Sequence, residues 1–155
     1  MAVMLLELIV ATVMVLLTVM IHGGGLLLLG RLMVWRERSA GRTKITAVSV
    51  EGAVVATLSA LGLTVLHGIE IWLYALLYRG LGAVESLRDA VYFSTITFAS
   101  IGFSDASINE SWRLLGALEG INGALLLGWS VAFFVTLMTR FTPTRERRRA
   151  ASDDA

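Results

Sequence analysis

Residues Ala99-Ser100-Ile101-Gly102-Phe103-Ser104-Asp105 form a stretch without helical periodicity, carrying one glycine and a closing acid. The chemistry open to such a segment is that of its backbone, because carbonyl oxygens turned toward a common axis can replace the water shell of a cation. A backbone arranged in this way alternates between conformations, some of which only glycine adopts cheaply. A second set of polar residues, Glu119, Asn122 and Ser130, interrupts an apolar run. An ionisable group in such a run is expensive to leave in lipid and is therefore a functional candidate. A third set, His22, His67 and Glu70, offers imidazole and carboxylate, which suit Zn or Ni. No nucleophile and base stand in a recognisable pairing, so no enzyme activity is expected.

The elements that must position these residues follow from composition. The chain has 155 residues, 56% of them hydrophobic and 16% charged, whereas soluble domains carry about 25% charged residues. Three apolar runs, near Val3–Val34, Ala47–Tyr78 and Trp112–Phe141, exceed the roughly 20 residues needed to cross a bilayer as a helix. The first has no Lys or Arg before it and no small-residue cleavage site, so it reads as a retained span rather than a signal peptide. Net charge is +1, which gives no reason to expect nucleic acid as a partner, and there is no cysteine for a disulfide or a thiolate metal site.

Basic residues collect in two segments: Arg31, Arg36, Arg38, Arg42 and Lys44 after the first run, and Arg140, Arg145, Arg147, Arg148 and Arg149 after the third. Only Arg79, Arg88 and Arg113 remain for the opposite side. Lys and Arg accumulate on the cytoplasmic side, so the expected topology is multi-pass in the cell (inner) membrane, with the N-terminus outside and the C-terminus cytoplasmic.

Residues 79–111, between the second and third runs, are too short and too polar for another crossing. They contain an amphipathic stretch, Ser86–Phe98, with Ser86 placed to cap a helix and Asp89 in its first turn. A half-length helix followed by irregular backbone at membrane depth is tolerated where protein buries it or where it lines a water-filled path. A re-entrant pore loop meets that condition.

The run Tyr92-Phe93-Ser94-Thr95-Ile96-Thr97-Phe98-Ala99-Ser100-Ile101-Gly102-Phe103-Ser104-Asp105 resembles the pore helix and filter of two-transmembrane potassium channels of the bacterial type. That family's filter reads T-V-G-Y-G-D. By resemblance Ser100 takes the threonine position, Ile101 the valine, Gly102 the first glycine, Phe103 the tyrosine and Asp105 the closing aspartate. Trp112-Arg113-Leu114 falls where the family's inner helix begins, and the likeness covers about residues 66–140; the first span has no counterpart in the minimal members. Ser104 stands at the second glycine. A serine there either accepts a backbone strained by about 1–3 kcal/mol or lets the outermost carbonyl ring relax. The resemblance thus implies a cation pore, with potassium preferred and sodium as a possible second permeant ion.

In the third span Asn122, Leu125, Trp129, Ala132 and Thr136 follow a spacing of three and four, the face an inner helix would turn toward a central cavity or its neighbours. Asn122 is expected under the filter, and Glu119 either there or behind the pore helix, bonded to Ser94, Thr95 or Thr97; both also fit as interhelical hydrogen-bond glue. Gly123 and Gly128 are hinge candidates, and small residues equally serve close packing. His22 and His67 should be separated by roughly 12 Å of depth at about 1.5 Å rise per residue. No metal beyond permeant cations, and no cofactor, is therefore expected; His67 and Glu70, three apart, should pair. Gly23-Gly24-Gly25 suits either a break in the first helix or a close approach by another.

The expected fold is an all-α membrane protein: three transmembrane helices plus a re-entrant pore helix and selectivity filter, assembled as a tetrameric pore. Its parts are an N-terminal transmembrane helix at 1–36, a basic cytoplasmic loop at 37–46, a pore module at 47–141 and a cytoplasmic tail at 142–155. A filter needs four loops and the chain supplies one, so the expected particle is a homotetramer among membrane lipids, passing monovalent cations. The alternatives are a non-selective cation channel and a non-conducting scaffold or sensor subunit.

Overall fold

A computed structural model of the chain describes residues 1–39, 50–102 and 107–141. Their architecture is helical: α1 (Ala2–Ser39), α2 (Val50–Gly80), α3 (Leu87–Phe98) and α4 (Arg113–Phe141), the last entered through a 3-10 turn at Glu110–Trp112. Segments Val3–Arg36, Gly52–Gly80 and Glu110–Thr139 are long and apolar enough to cross a membrane. The basic loop beyond Ser39 and the tail from residue 142 lie outside the described residues.

Apolar length makes these helices, and their hydroxyl residues do not break them. Thr12, Thr18, Thr57, Ser59, Thr64 and Thr136 each donate to the carbonyl four residues earlier. Each hydroxyl is thereby satisfied within its own helix, which is what a lipid surrounding demands. The three glycines at 23–25 do not interrupt α1 either. A methyl on Gly25 would lie 2.6 Å from Leu66 Cδ1, and one on Gly62 would lie 2.6 Å from Leu29 Cδ2. Each helix thus sets a leucine into a glycine notch of the other, and of the two readings left open for this glycine run, close approach is the one realised.

Side-chain bridges define the directions. Glu7 reaches Leu114, Thr18 reaches Asn122 and His22 reaches Ser130, so numbers rise together and α1 runs parallel to α4. Glu70 meets His22 whereas Tyr78, further along α2, meets Glu119 near the start of α4, so α2 runs antiparallel to both. The main core, including Ala11, Met14, Tyr74, Tyr78, Phe93 and Leu115, gathers where α3 wedges among the long helices. Elsewhere the long helices expose leucine and valine, such as Leu16, Leu27, Leu58, Val65 and Val135. That surface suits lipid or further copies of the chain.

Candidate functional site

α3 is half the length of a span and is fixed at both ends. Ser86 caps it in extended backbone, its Oγ accepting from the Asp89 N–H at 3.0 Å and donating to Asp89 Oδ2 at 2.6 Å. At the other end the Ser100 N–H donates to Thr97 O and the Ile101 N–H to Ile96 O, each at 2.9 Å. Ser100 itself has φ +57. This is the Schellman closure of a helix C-terminus, which normally places glycine at the left-handed position. α2 ends in the same way with Gly82 at φ +65, its N–H bonded to Arg79 O and that of Ala83 to Tyr78 O. At Ser100 a residue with a Cβ takes that conformation, at a cost of about 1–2 kcal/mol. Its Oγ leans toward Gly120 O, 3.4 Å away.

Gly102 follows with φ +104 and nothing within 4 Å of where its Cβ would be. Its glycine is thus required by backbone conformation and not by lack of space within the chain. Among the described residues, no backbone N–H bonds to the carbonyl of Ser100, Ile101 or Gly102. These three oxygens stand beyond the C-terminus of α3, where the aligned peptide dipoles leave a partial negative charge and favour a cation. Phe103, Ser104 and Asp105 lie outside the described residues.

The end of α3 rests on α4 through a glycine. A methyl on Gly123 would lie 2.2 Å from Phe98 O and 2.8 Å from Phe98 C and Cα, so the α3 backbone occupies the space a side chain would need. Gly123 therefore has a packing role. Gly128 has nothing within 4 Å and retains the freedom a bend requires. Gly120 meets Thr97 O at an ordinary 3.5 Å.

Glu119 is fully buried behind α3, where its carboxylate accepts from Ser94 Oγ and from Tyr78 OH, each at 2.5 Å. Ser94 was one of three partners the sequence offered; Tyr78 was not foreseen. Ser94 Oγ also lies 3.0 Å from Ile71 O, so this one cluster joins α2, α3 and α4. Of the two readings for Asn122, a place under the filter and interhelical hydrogen bonding, the described residues show the second. Asn122 is buried and turned away from the stripe formed by Leu125, Trp129, Ala132 and Thr136, all of which are exposed. Its Nδ2 donates to Thr18 Oγ1 at 2.8 Å and to Tyr74 OH at 3.2 Å. The physical reason is the added helix: α1 supplies a buried hydroxyl to which the amide Nδ2 donates.

The depth argument that separated His22 from His67 is also overturned. His22 Nδ1 lies 2.9 Å from Glu70 Oε1, His67 Nδ1 lies 3.1 Å from Glu70 Oε2, and the two imidazole rings are 5.2 Å apart. The described helices are centred later in the chain than the apolar runs from which depth was reckoned: α1 reaches Ser39, and α2 spans Val50–Gly80. Both histidines are thereby brought near mid-helix, and the offset falls to about 5 Å at 1.5 Å per residue. His67 also packs edge-on against Phe98, with ring centroids 5.6 Å apart.

Glu7 escaped sequence reasoning. It is buried, and its Oε1 accepts from the Leu114 N–H at 3.1 Å, which satisfies an orphan donor of the first turn of α4 and sets a carboxylate at the positive end of that helix. A lone acid in an apolar run was the available signal.

A family model described as "Ion channel" matches residues 53–140, more than half of the chain. No curated protein and no solved structure matches.

Proposed function

From the premise that the chain belongs to the ion channel family, we propose that it is one subunit of a homotetrameric pore for passive cation conduction, with potassium preferred. The observation that carries this reading is the loop after α3: carbonyls of Ser100, Ile101 and Gly102 that meet no backbone donor among the described residues, at the negative end of a half-length helix packed between two spans. One chain supplies one such loop, and four around an axis would surround an ion with rings of oxygen ligands in place of its water. Phe103, Ser104 and Asp105 would complete the filter, the aspartate fixing its mouth. In this reading α1 and α2 are the outer scaffold, α4 is the inner helix, and its exposed stripe from Leu125 to Thr136 faces the cavity or a neighbouring copy. The basic segments would lie in the cytoplasm and the N-terminus outside.

Conduction needs no covalent step. An ion arriving hydrated exchanges waters for carbonyls, repels the ion ahead of it and leaves on the far side; binding must be strong enough for entry and weak enough for exit. The buried bonds from Glu119 and the seat on Gly123 hold the loop at a fixed height while this happens.

Serine at position 104 supports a second reading, a non-selective cation pore, because a weakened outer ring lowers the discrimination of a multi-site filter. Purified protein in liposomes, given potassium and sodium gradients in turn, distinguishes the two. Potassium flux well above sodium flux is expected. Equal fluxes favour the non-selective pore, and no flux of either ion overturns conduction.

A further inference from the structure

His22, His67, Glu70 and Ser130 come from α1, α2 and α4 and close a four-membered ring of contacts within the bundle. We propose that His22, His67 and Glu70 form a site for one divalent transition cation of the zinc class, with Ser130 holding the two imidazoles from behind. The proposal is independent of whether the loop after α3 conducts.

The geometry comes first. One donor atom from each of the three residues can be chosen so that all lie within 4.8 Å of one another. An ion held at about 2.0–2.1 Å by tetrahedral ligands keeps them about 3.3 Å apart, so modest ring rotations close the site. The contacts of each imidazole with Glu70, at 2.9 and 3.1 Å, already have that spacing. Three protein ligands with a fourth position left for water is the usual form of an open zinc site.

Counting protons supplies the second argument. Both nitrogens of each histidine are engaged: the two Nδ1 atoms face the two oxygens of Glu70, while His67 Nε2 and His22 Nε2 face Ser130 Oγ at 2.9 and 3.3 Å. With both imidazoles neutral and protonated at Nδ1, two ring protons and one hydroxyl proton must serve four contacts. One ring nitrogen then faces the serine oxygen with no proton between them. A divalent cation removes that mismatch. It takes the place of both Nδ1 protons, both Nε2–H groups donate into the two lone pairs of Ser130 Oγ, and the Glu70 carboxylate offsets part of the charge. Ligating histidines characteristically use an outer partner of this kind to fix tautomer and ring orientation.

The surroundings fit a held ion. His22 and Glu70 are fully buried, and the Trp129 ring packs against that of His22 with centroids 5.5 Å apart. The His67 side chain is 14% exposed, which leaves an entry from one side. Because the same ring touches Phe98, an ion here would brace three helices directly behind the end of α3.

The chain has two histidines and no cysteine, so a nitrogen-ligated metal spectrum from protein carrying no polyhistidine tag can only come from this site. Metal-stripped full-length protein in lipid nanodiscs should be titrated with Co2+, following the visible ligand-field bands, and then with Zn2+. The expected result is one equivalent of Co2+ per chain, displaced by Zn2+. His22→Ala and His67→Ala should abolish the bands, and Ser130→Ala should weaken binding by about 10–100-fold. Glu70→Gln, which keeps the side-chain size, should weaken it at least as much as Ser130→Ala and serves if an alanine variant fails to fold. Absence of the bands in the wild type, or undiminished affinity in Glu70→Gln, overturns the proposal and leaves the ring closed by an extra proton instead.

Discussion

Replacing Gly123 with alanine tests the seat of α3 on α4. The new methyl would lie 2.2 Å from Phe98 O and 2.8 Å from Phe98 C and Cα, whereas a carbon meets a carbonyl oxygen comfortably at about 3.3–3.6 Å. The two backbones must therefore part by about 1 Å. All three offending atoms are main chain, so no rotamer change relieves the clash, and overpacking of this kind costs about 1–3 kcal/mol. Gly120→Ala is the matched control, since its methyl meets Thr97 O at 3.5 Å, an ordinary contact. Both substitutions gain the same helix propensity, so their difference isolates the clash. Melting of purified protein, followed by tryptophan fluorescence, should show Gly123→Ala less stable than Gly120→Ala by about 1–3 kcal/mol. Potassium flux in liposomes should fall in the first and persist in the second, because the carbonyls beyond Phe98 move with it. Equal stability and equal flux in the two variants would refute the reasoning.

Three further outcomes are expected. Ser100→Gly relieves a left-handed serine and should stabilise the fold by about 1 kcal/mol in the same melt; a loss of stability would count against that geometry. Tyr78→Phe removes one of two donors to a fully buried carboxylate and should cost about 1–3 kcal/mol, with Ser94→Ala similar; an unchanged melt in both would mean that Glu119 is satisfied otherwise. Ser104→Gly should raise the potassium-to-sodium permeability ratio under bi-ionic conditions, and an unchanged reversal potential would show that the serine costs the filter nothing.

The long helices were legible because apolar length alone specifies them, and α3 because Ser86 and Asp89 form a local start signal that the folded chain uses. Sequence also placed Ser94 among the three hydroxyls offered to Glu119, since a buried acid must find a donor and few were within reach. What escaped was rotation and offset. α4 is apolar on nearly every side, so periodicity cannot say which face turns inward, and it set the buried Asn122 on one stripe with exposed residues. Pairings such as Glu7 with Leu114, or His22 with Glu70, depend on where helices begin relative to one another. A shift of a few residues in an assumed boundary moves a side chain by several ångströms of depth. Ser100 in the left-handed region left no trace either, because serine carries no preference for it.

The paired notches between α1 and α2 have a mechanical consequence. Leu29 sits in Gly62 and Leu66 in Gly25, and in each helix notch and tooth are four residues apart, about 6 Å along the axis. On two antiparallel rods this makes a rack with two teeth, in which sliding either rod drives a leucine out of its slot and onto backbone. Shear between α1 and α2 is therefore blocked for displacements shorter than a full tooth, while tilting the pair together meets no such obstacle. A change in bilayer thickness or lateral tension would reach α3 and α4 as the leaning of a single stiff panel.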